Sequence, residues 1–167
     1  MRDSLLKFAE VLASVAVILS LAVLIYEVRE NSSALERNNS IAKAAALDEG
    51  SEQYSEFRRL LIGNRDLTEL WLKGNRGDEL DEVDSDRFGR LVAEWTIIMR
   101  NHYVRNATVG NYEIATLTVS RLADNLLARP GLRSAWELLP HSKEDPTGFA
   151  AAVELEVRKR MNSRGGG

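Results

Sequence analysis

The chain has 167 residues, enough for one compact domain with an appendage and too few for two ordinary domains. Its hydrophobic fraction of 44% and charged fraction of 28% are those of a folding polypeptide and exclude global disorder. The 22 basic and 25 acidic residues leave a formal charge of −3 and no field for gripping nucleic-acid phosphates, and the lack of cysteine excludes a disulfide framework, a thiolate zinc site and a thiol nucleophile.

The first element is the uncharged run VLASVAVILSLAVLIY, from Val11 to Tyr26. As a helix it rises about 24 Å, somewhat short of a bilayer core of about 30 Å. Leu5, Leu6 and Phe8 extend its apolar surface, Lys7 is long enough to snorkel to the headgroups, and Tyr26 stands where an interfacial aromatic belongs. These features predict a single transmembrane anchor over residues 1–27. A cleaved signal peptide fits poorly, because Asp3 and Glu10 interrupt the basic start and no small-x-small site follows. A helix lying in the interface would need a polar face, which this run lacks; a buried core helix is the other competing reading.

Ala9, Ala13, Ala16 and Ser20 share one face at helical spacing and form a stripe that suits a second membrane helix. The ordinary Ala and Ser content of such helices produces the same pattern. No histidine lies in the run, so it offers no imidazole to a haem or chlorophyll metal. Arg2 and Lys7 precede it, whereas Arg29, Arg37 and Lys43 follow, and this slight excess places the water-exposed domain on the cytoplasmic side.

No proline occurs before Pro130 and no glycine before Gly50, so the apolar helix is expected to continue into a polar stalk over residues 28–63. Its apolar positions, Ala34, Leu35, Ile41, Ala42 and the run from Ala44 to Leu47, form a narrow seam. Such a seam suits a partner, projection into water, or packing against the rest of the chain.

A small helical bundle is predicted over residues 64–161. Asp66 and Glu69 have capping-box spacing and open a short helix that buries Leu67, Leu70 and Trp71 and stops at Gly74. After a polar acidic loop, a long helix starts near Ser85 and repeats Phe88, Leu91, Val92, Trp95, Ile98, Met99, His102, Tyr103 and Asn106 at steps of three and four. Gly110-Asn111 breaks it. A fourth helix carries Ile114, Leu117, Leu122 and Leu126 and ends at Pro130-Gly131, and a fifth presents Leu132, Trp136 and Leu139 and stops at Pro140. Asp145 and Pro146 suit the N-cap and first position of a last helix that buries Phe149, Val153 and Val157. Residues 162–167 read as a flexible tail. No period-two strand pattern is present, so the fold class is all-α.

Candidate chemistry is thin. His102, on the apolar face beside Tyr103 and Trp95, reads as a core histidine with one hydrogen bond rather than a metal ligand, and His141 lies in a loop with Glu144 and Asp145. The acidic stretch from Asp78 to Asp86 fails the EF-hand test: counted from Asp84, position five is Phe88 and position twelve is Trp95, where a bidentate Glu is required. Ser40-Ile-Ala-Lys43 matches S-x-x-K, but the partner motifs of the penicillin-recognising enzymes are missing. The polar stretch from Arg100 to Asn106 suits a structural hydrogen-bond network. No active site, cofactor site or metal site is read from the residues.

The stretches LIYEVRENSSAL, RNHYVRNATVGNYE and RPGLRSAWELLPHSKEDPTGFAAAV together resemble a family of short bacterial membrane proteins of uncharacterised function. Val28 to Leu35 and Pro130 to Trp136 carry the likeness, which covers nearly the whole chain. The resemblance implies a protein of the bacterial inner membrane and implies no activity.

The expected function is that of a non-enzymatic, single-pass accessory or scaffolding subunit of a larger membrane assembly, for example a respiratory or photosynthetic complex. Its partners would be the lipid bilayer and other integral membrane proteins or a second copy, without nucleic acid. The alternative is a membrane-tethered helical sensor that binds a small ligand near Trp95, His102, Tyr103 and Trp136.

Overall fold

The computed structural model describes residues 2–140 and 145–165, with side chains described at 12, over 15–140 and over 145–163. Among these residues it is all-α, without a strand. The six helices are α1 (Arg2–Gly63), α2 (Arg65–Arg76), α3 (Glu82–Thr108), α4 (Tyr112–Ala128), α5 (Pro130–Leu138) and α6 (Phe149–Gly165). The chain divides into two compact units, residues 1–42 and 43–167, and α1 contributes to both.

In the first unit the side chains described from 15 to 26 are all exposed, including Ile18 at 64%, Leu19 at 61% and Tyr26 at 67%. Among the described residues no helix is long and apolar enough to cross a membrane. The uninterrupted apolar run with described side chains, 15 to 26, rises only about 18 Å. The spanning helix expected from the sequence therefore has no counterpart there. The side chains of Val11, Ala13 and Ser14, which belong to the expected span, lie outside the described ones, as does Ala9 of the small-residue stripe. Its other members, Ala16 and Ser20, are exposed, and the Ser20 hydroxyl donates to the Ala16 carbonyl at 2.9 Å, so its one proton is engaged within the helix. Over 28–42 every side chain is exposed except the half-buried Ala34.

The second unit begins earlier than the pattern of the sequence predicts. Ala46, Gly50 and Phe57 are buried and Gln53 and Leu61 half-buried, at steps of three and four along α1. The second half of the expected stalk thus packs on the domain. Phe57 meets Trp71 of α2 edge-on at 5.5 Å, and Trp71 meets Trp95 of α3 at 6.1 Å.

Helix α2 is capped by Asn64, whose Oδ1 accepts from the Leu67 amide at 3.1 Å. The expected capping box from Asp66 is not used, because Glu69 instead pairs with Arg65 at 2.8 Å. The helix passes through Gly74 and ends at Gly77, which adopts φ 78° and donates its amide to the Gly74 carbonyl. Gly74 is a contact residue instead: a Cβ there would lie 2.3 Å from the Phe88 ring. Helix α3 starts at Glu82, three residues before Ser85, because Asp81 caps it through the Asp84 amide at 2.8 Å.

On α4 the buried face consists of Ala115, Thr118, Val119, Leu122, Ala123 and Leu126, whereas Leu117 is exposed. Pro130 does end α4, and it also opens α5 at the first turn, where its missing N–H costs nothing. Gly131 then abuts α2 backbone to backbone: a Cβ on it would lie 1.8 Å from the Gly74 carbonyl oxygen and 2.7 Å from the Gly77 nitrogen.

Asp145 is not the residue next to the last helix. The chain turns through Pro146, Thr147 and Gly148, and α6 starts at Phe149. The Asp145 carboxylate still caps it from a distance, accepting from the Thr147 hydroxyl, the Thr147 amide at 3.0 Å and the Ala150 amide at 2.9 Å. Burial pushes its carboxyl up, but these hydrogen bonds outweigh that and hold it below the usual carboxylate value. Phe149, Val153 and Val157 are buried as the spacing predicts, and Ala150 is buried beside them. Helix α6 runs on to Gly165, so residues 162–165 of the expected tail are helical. Arg160 clamps α6 to α4, reaching Ser120 at 2.6 Å and Asp124 across the interface and Glu156 on its own helix.

Candidate functional site

The four aromatic and histidine side chains expected to share a pocket fall into two groups. Trp95 and His102 line a cavity of about 340 Å³ within the 43–167 unit. Tyr103 and Trp136 do not: Tyr103 packs on Phe149 at 5.2 Å, and Trp136, 1% exposed, lies edge-on to Phe149 and donates its indole N–H to Glu154 Oε1 at 2.7 Å. Those two belong to the solid core around α6. The reason is angular: adjacent residues on a helix point about 100° apart, so His102 and Tyr103 diverge, while Trp95 and His102, seven apart, share a face.

The cavity is walled by three helices. From α3 come Trp95, Ile98, Met99 and His102, which form an apolar floor with one imidazole. From α1 come Gly50, Ser51 and Tyr54, and from α4 Thr118, Arg121 and Asn125. Gly50 is what lets α1 approach. A Cβ at this position would sit 2.1 Å from His102 Cδ2, inside the ring's van der Waals envelope. The sequence signal for this contact was the one glycine in the interior of a long helix, which reads as a weak helix position until its neighbour is known.

The hydrogen bonds define the state of His102. Thr118 donates its only hydroxyl proton to the Ile114 carbonyl at 2.8 Å, so it can only accept from His102 Nδ1, 3.1 Å away. Nδ1 therefore carries the proton, and the neutral ring has its lone pair at Nε2. Burial lowers the His102 pKa below its ordinary value, and the nearby guanidinium groups of Arg105 and Arg121 lower it further. The expectation of a histidine with one satisfied hydrogen bond matches this arrangement.

Arg105 is tied to Glu49 of α1 at 2.5 Å. Arg121 has no carboxylate partner among the described residues. No acidic side chain lines the cavity. Arg58 stacks on Tyr54, with its guanidinium carbon 5.6 Å from the ring centroid.

Elsewhere several polar groups are paired with each other, while the buried Gln53 Oε1, Asn75 Oδ1 and Thr96 Oγ1 have no partner among the described residues. At the junction of α3 and α4 the fully buried Asn106 donates to the His102 carbonyl at 2.9 Å and accepts from Asn111 Nδ2 at 3.0 Å, a network that holds the turn. In the acidic stretch Asp78 pairs with Arg76, Asp84 with Arg87 and Asp86 with Arg90. A larger, shallower hollow of about 490 Å³ lies beside Gly131, Asp86 and Arg90, and those charges already neutralise one another. Among the described residues no group of three or more His, Cys, Asp or Glu side chains is placed to hold a metal. His141 and Glu144, weighed as a surface metal site, lie outside the described residues.

No family model matches this chain, and no curated protein or solved structure matches it.

Proposed function

We propose that the chain is a non-enzymatic, membrane-associated helical protein that acts as an accessory or scaffolding subunit of a larger assembly in a bacterial inner membrane. One observation carries this reading: the ring of exposed apolar side chains on the N-terminal part of α1. Leu12, Val15, Val17, Ile18, Leu19, Leu21, Val23, Leu24 and Ile25 are each about half exposed or more, on all sides of the helix. Transfer out of water favours each of these side chains by about 1.5–3 kcal/mol when complete, so leaving the ring uncovered forgoes a large stabilisation. Lipid tails or the apolar helices of a partner cover a ring of this kind from every direction; a partner seated on one face would not.

In this reading residues 1–27 are the single-pass anchor, and the apolar sequence before Val15 completes the length that the run from 15 to 26 lacks. The polar α1 segment from 28 to 42 then leads to the folded unit on the cytoplasmic side. Partners are the bilayer and other integral membrane proteins or a second copy.

The test is to express the full chain in bacteria, wash the membranes at alkaline pH, and then extract in mild detergent and weigh the particle. The expected outcome is retention in the membrane pellet and a particle heavier than one chain. The Ile18→Asp/Leu21→Asp double variant should move to the wash supernatant. Wild-type protein found in the supernatant would overturn membrane association; a lone monomer after mild extraction would overturn the subunit role.

A further inference from the structure

We propose that the cavity between α1, α3 and α4 is a binding site for a small amphipathic monocarboxylate, with the apolar tail on Trp95, Ile98 and Met99 and the carboxylate on Arg121. This goes beyond the accessory-subunit reading and does not depend on it. Three features of the cavity support the assignment.

The first is size: about 340 Å³ lies within the range of small-molecule sites, about 300–1,000 Å³. The second is the distribution of polarity. The α3 wall is apolar apart from His102, whereas the α4 wall ends in Arg121 and Asn125 and the α1 wall in Ser51 and Tyr54. A ligand apolar at one end and polar at the other matches that gradient. The third is charge. Arg121 lines the cavity with no acidic side chain among the lining residues to answer it, so a bound anion finds a site whose positive charge is not already neutralised.

His102 gives the site its own reporter. Its Nδ1 is engaged by Thr118, and burial together with Arg105 and Arg121 holds its pKa below the ordinary value. Burial is the larger cause of that lowering and the two guanidinium groups the smaller; a carboxylate placed at Arg121 offsets the guanidinium part, so occupancy should raise the titration midpoint. A purely apolar ligand filling the same floor has no such effect.

The experiment titrates the full-length chain, held in one fixed amphipol preparation, with octanoate, 4-phenylbutyrate and the uncharged octanol. Indole resonances of Trp95 and imidazole resonances of His102 are followed by NMR. Arg121→Gln is the variant of choice because Arg121 is exposed and makes no ion pair among the described residues, and far-UV circular dichroism checks that the variant folds. The expected result is saturable binding of at least one carboxylate, weakened about tenfold or more by Arg121→Gln, with a raised His102 midpoint when saturated. Octanol binding as tightly as octanoate, an unchanged affinity in Arg121→Gln, or no shift at Trp95 and His102 with either carboxylate would each overturn the proposal.

Discussion

His102 shows how a side chain's state follows from bonds made by its neighbours. Because Thr118 gives its proton to Ile114, the imidazole is a donor at Nδ1, and burial with two nearby guanidinium groups disfavours a second proton. A histidine whose folded pKa is depressed takes up its proton more readily in the unfolded chain. Its contribution to stability is therefore intact above the ordinary value of 6.5 and is lost as pH falls through that value toward the folded one. Thermal melts between pH 7.5 and 5.5 should fall more steeply for the wild type than for His102→Gln; parallel curves would remove this role. From the sequence, a histidine on the apolar stripe of α3 already implied one hydrogen bond. Its partner was not legible, since Thr118 lies on another helix and its place opposite His102 depends on the turn at Gly110-Asn111. Arg121 was missed for a similar reason: an arginine on the polar side of a helix looks like any solvated charge until the opposite wall proves to hold no acid.

At the level of single helices, periodicity was a sound guide and punctuation less so. The stripe from Phe88 to Asn106 and the trio Phe149, Val153 and Val157 were legible because burial on one face writes a 3.6-residue repeat into the sequence. The ends were harder. Asn64 and Asp66 are both good cap residues two positions apart, and only the bond from Leu67 N to Asn64 Oδ1 decides between them. Asn64→Ala should lower stability by about 1 kcal/mol and Asp66→Ala by less, measured by urea unfolding. Equal effects would mean that the cap is shared. Gly74 and Gly131 look like a stop and a turn in the sequence, yet Gly74 leaves room for the Phe88 ring of α3, and Gly131 lets α5 meet the backbone of α2 where no side chain fits. Gly131→Ala forces backbone apart and should cost about 1–3 kcal/mol or more. Gly63→Ala, with nothing within 4 Å of its Cβ, is the matched control and should be neutral or stabilising.

For the molecule as a whole, the division at residue 42 is the main departure from the sequence reading. The buried residues that form the connected core, from Phe57 to Val157, lie within 43–167, and so does Ala46. The sequence hid this because the part of α1 that packs on the domain begins with Ala46, Gly50 and Gln53, small or polar residues that resemble a stalk, before Phe57 and Leu61 join the core. The fragment 43–167 should fold alone, with a cooperative melt within a few degrees of the full chain; a fragment starting at 64, which discards Phe57 and Leu61, should melt earlier or not cooperatively. A melt of the shorter fragment equal to that of the longer would show α1 to be dispensable. The all-α class was legible from the start, because nothing in the chain alternates with period two.

The meeting of Gly74 and Gly77 with Gly131 also has a consequence in time. The hairpin of α3 and α4 joins segments that are neighbours in the chain, whereas the α2–α5 contact closes a loop that contains that entire hairpin. Closing it early would order a long stretch of chain before most of the contacts that reward the ordering exist. Docking of α2 on α5 is thus expected after the rate-limiting barrier. In stopped-flow measurements on 43–167, Gly131→Ala should accelerate unfolding severalfold and leave the refolding rate nearly unchanged. A slowed refolding limb would instead place the glycine contact in the folding nucleus.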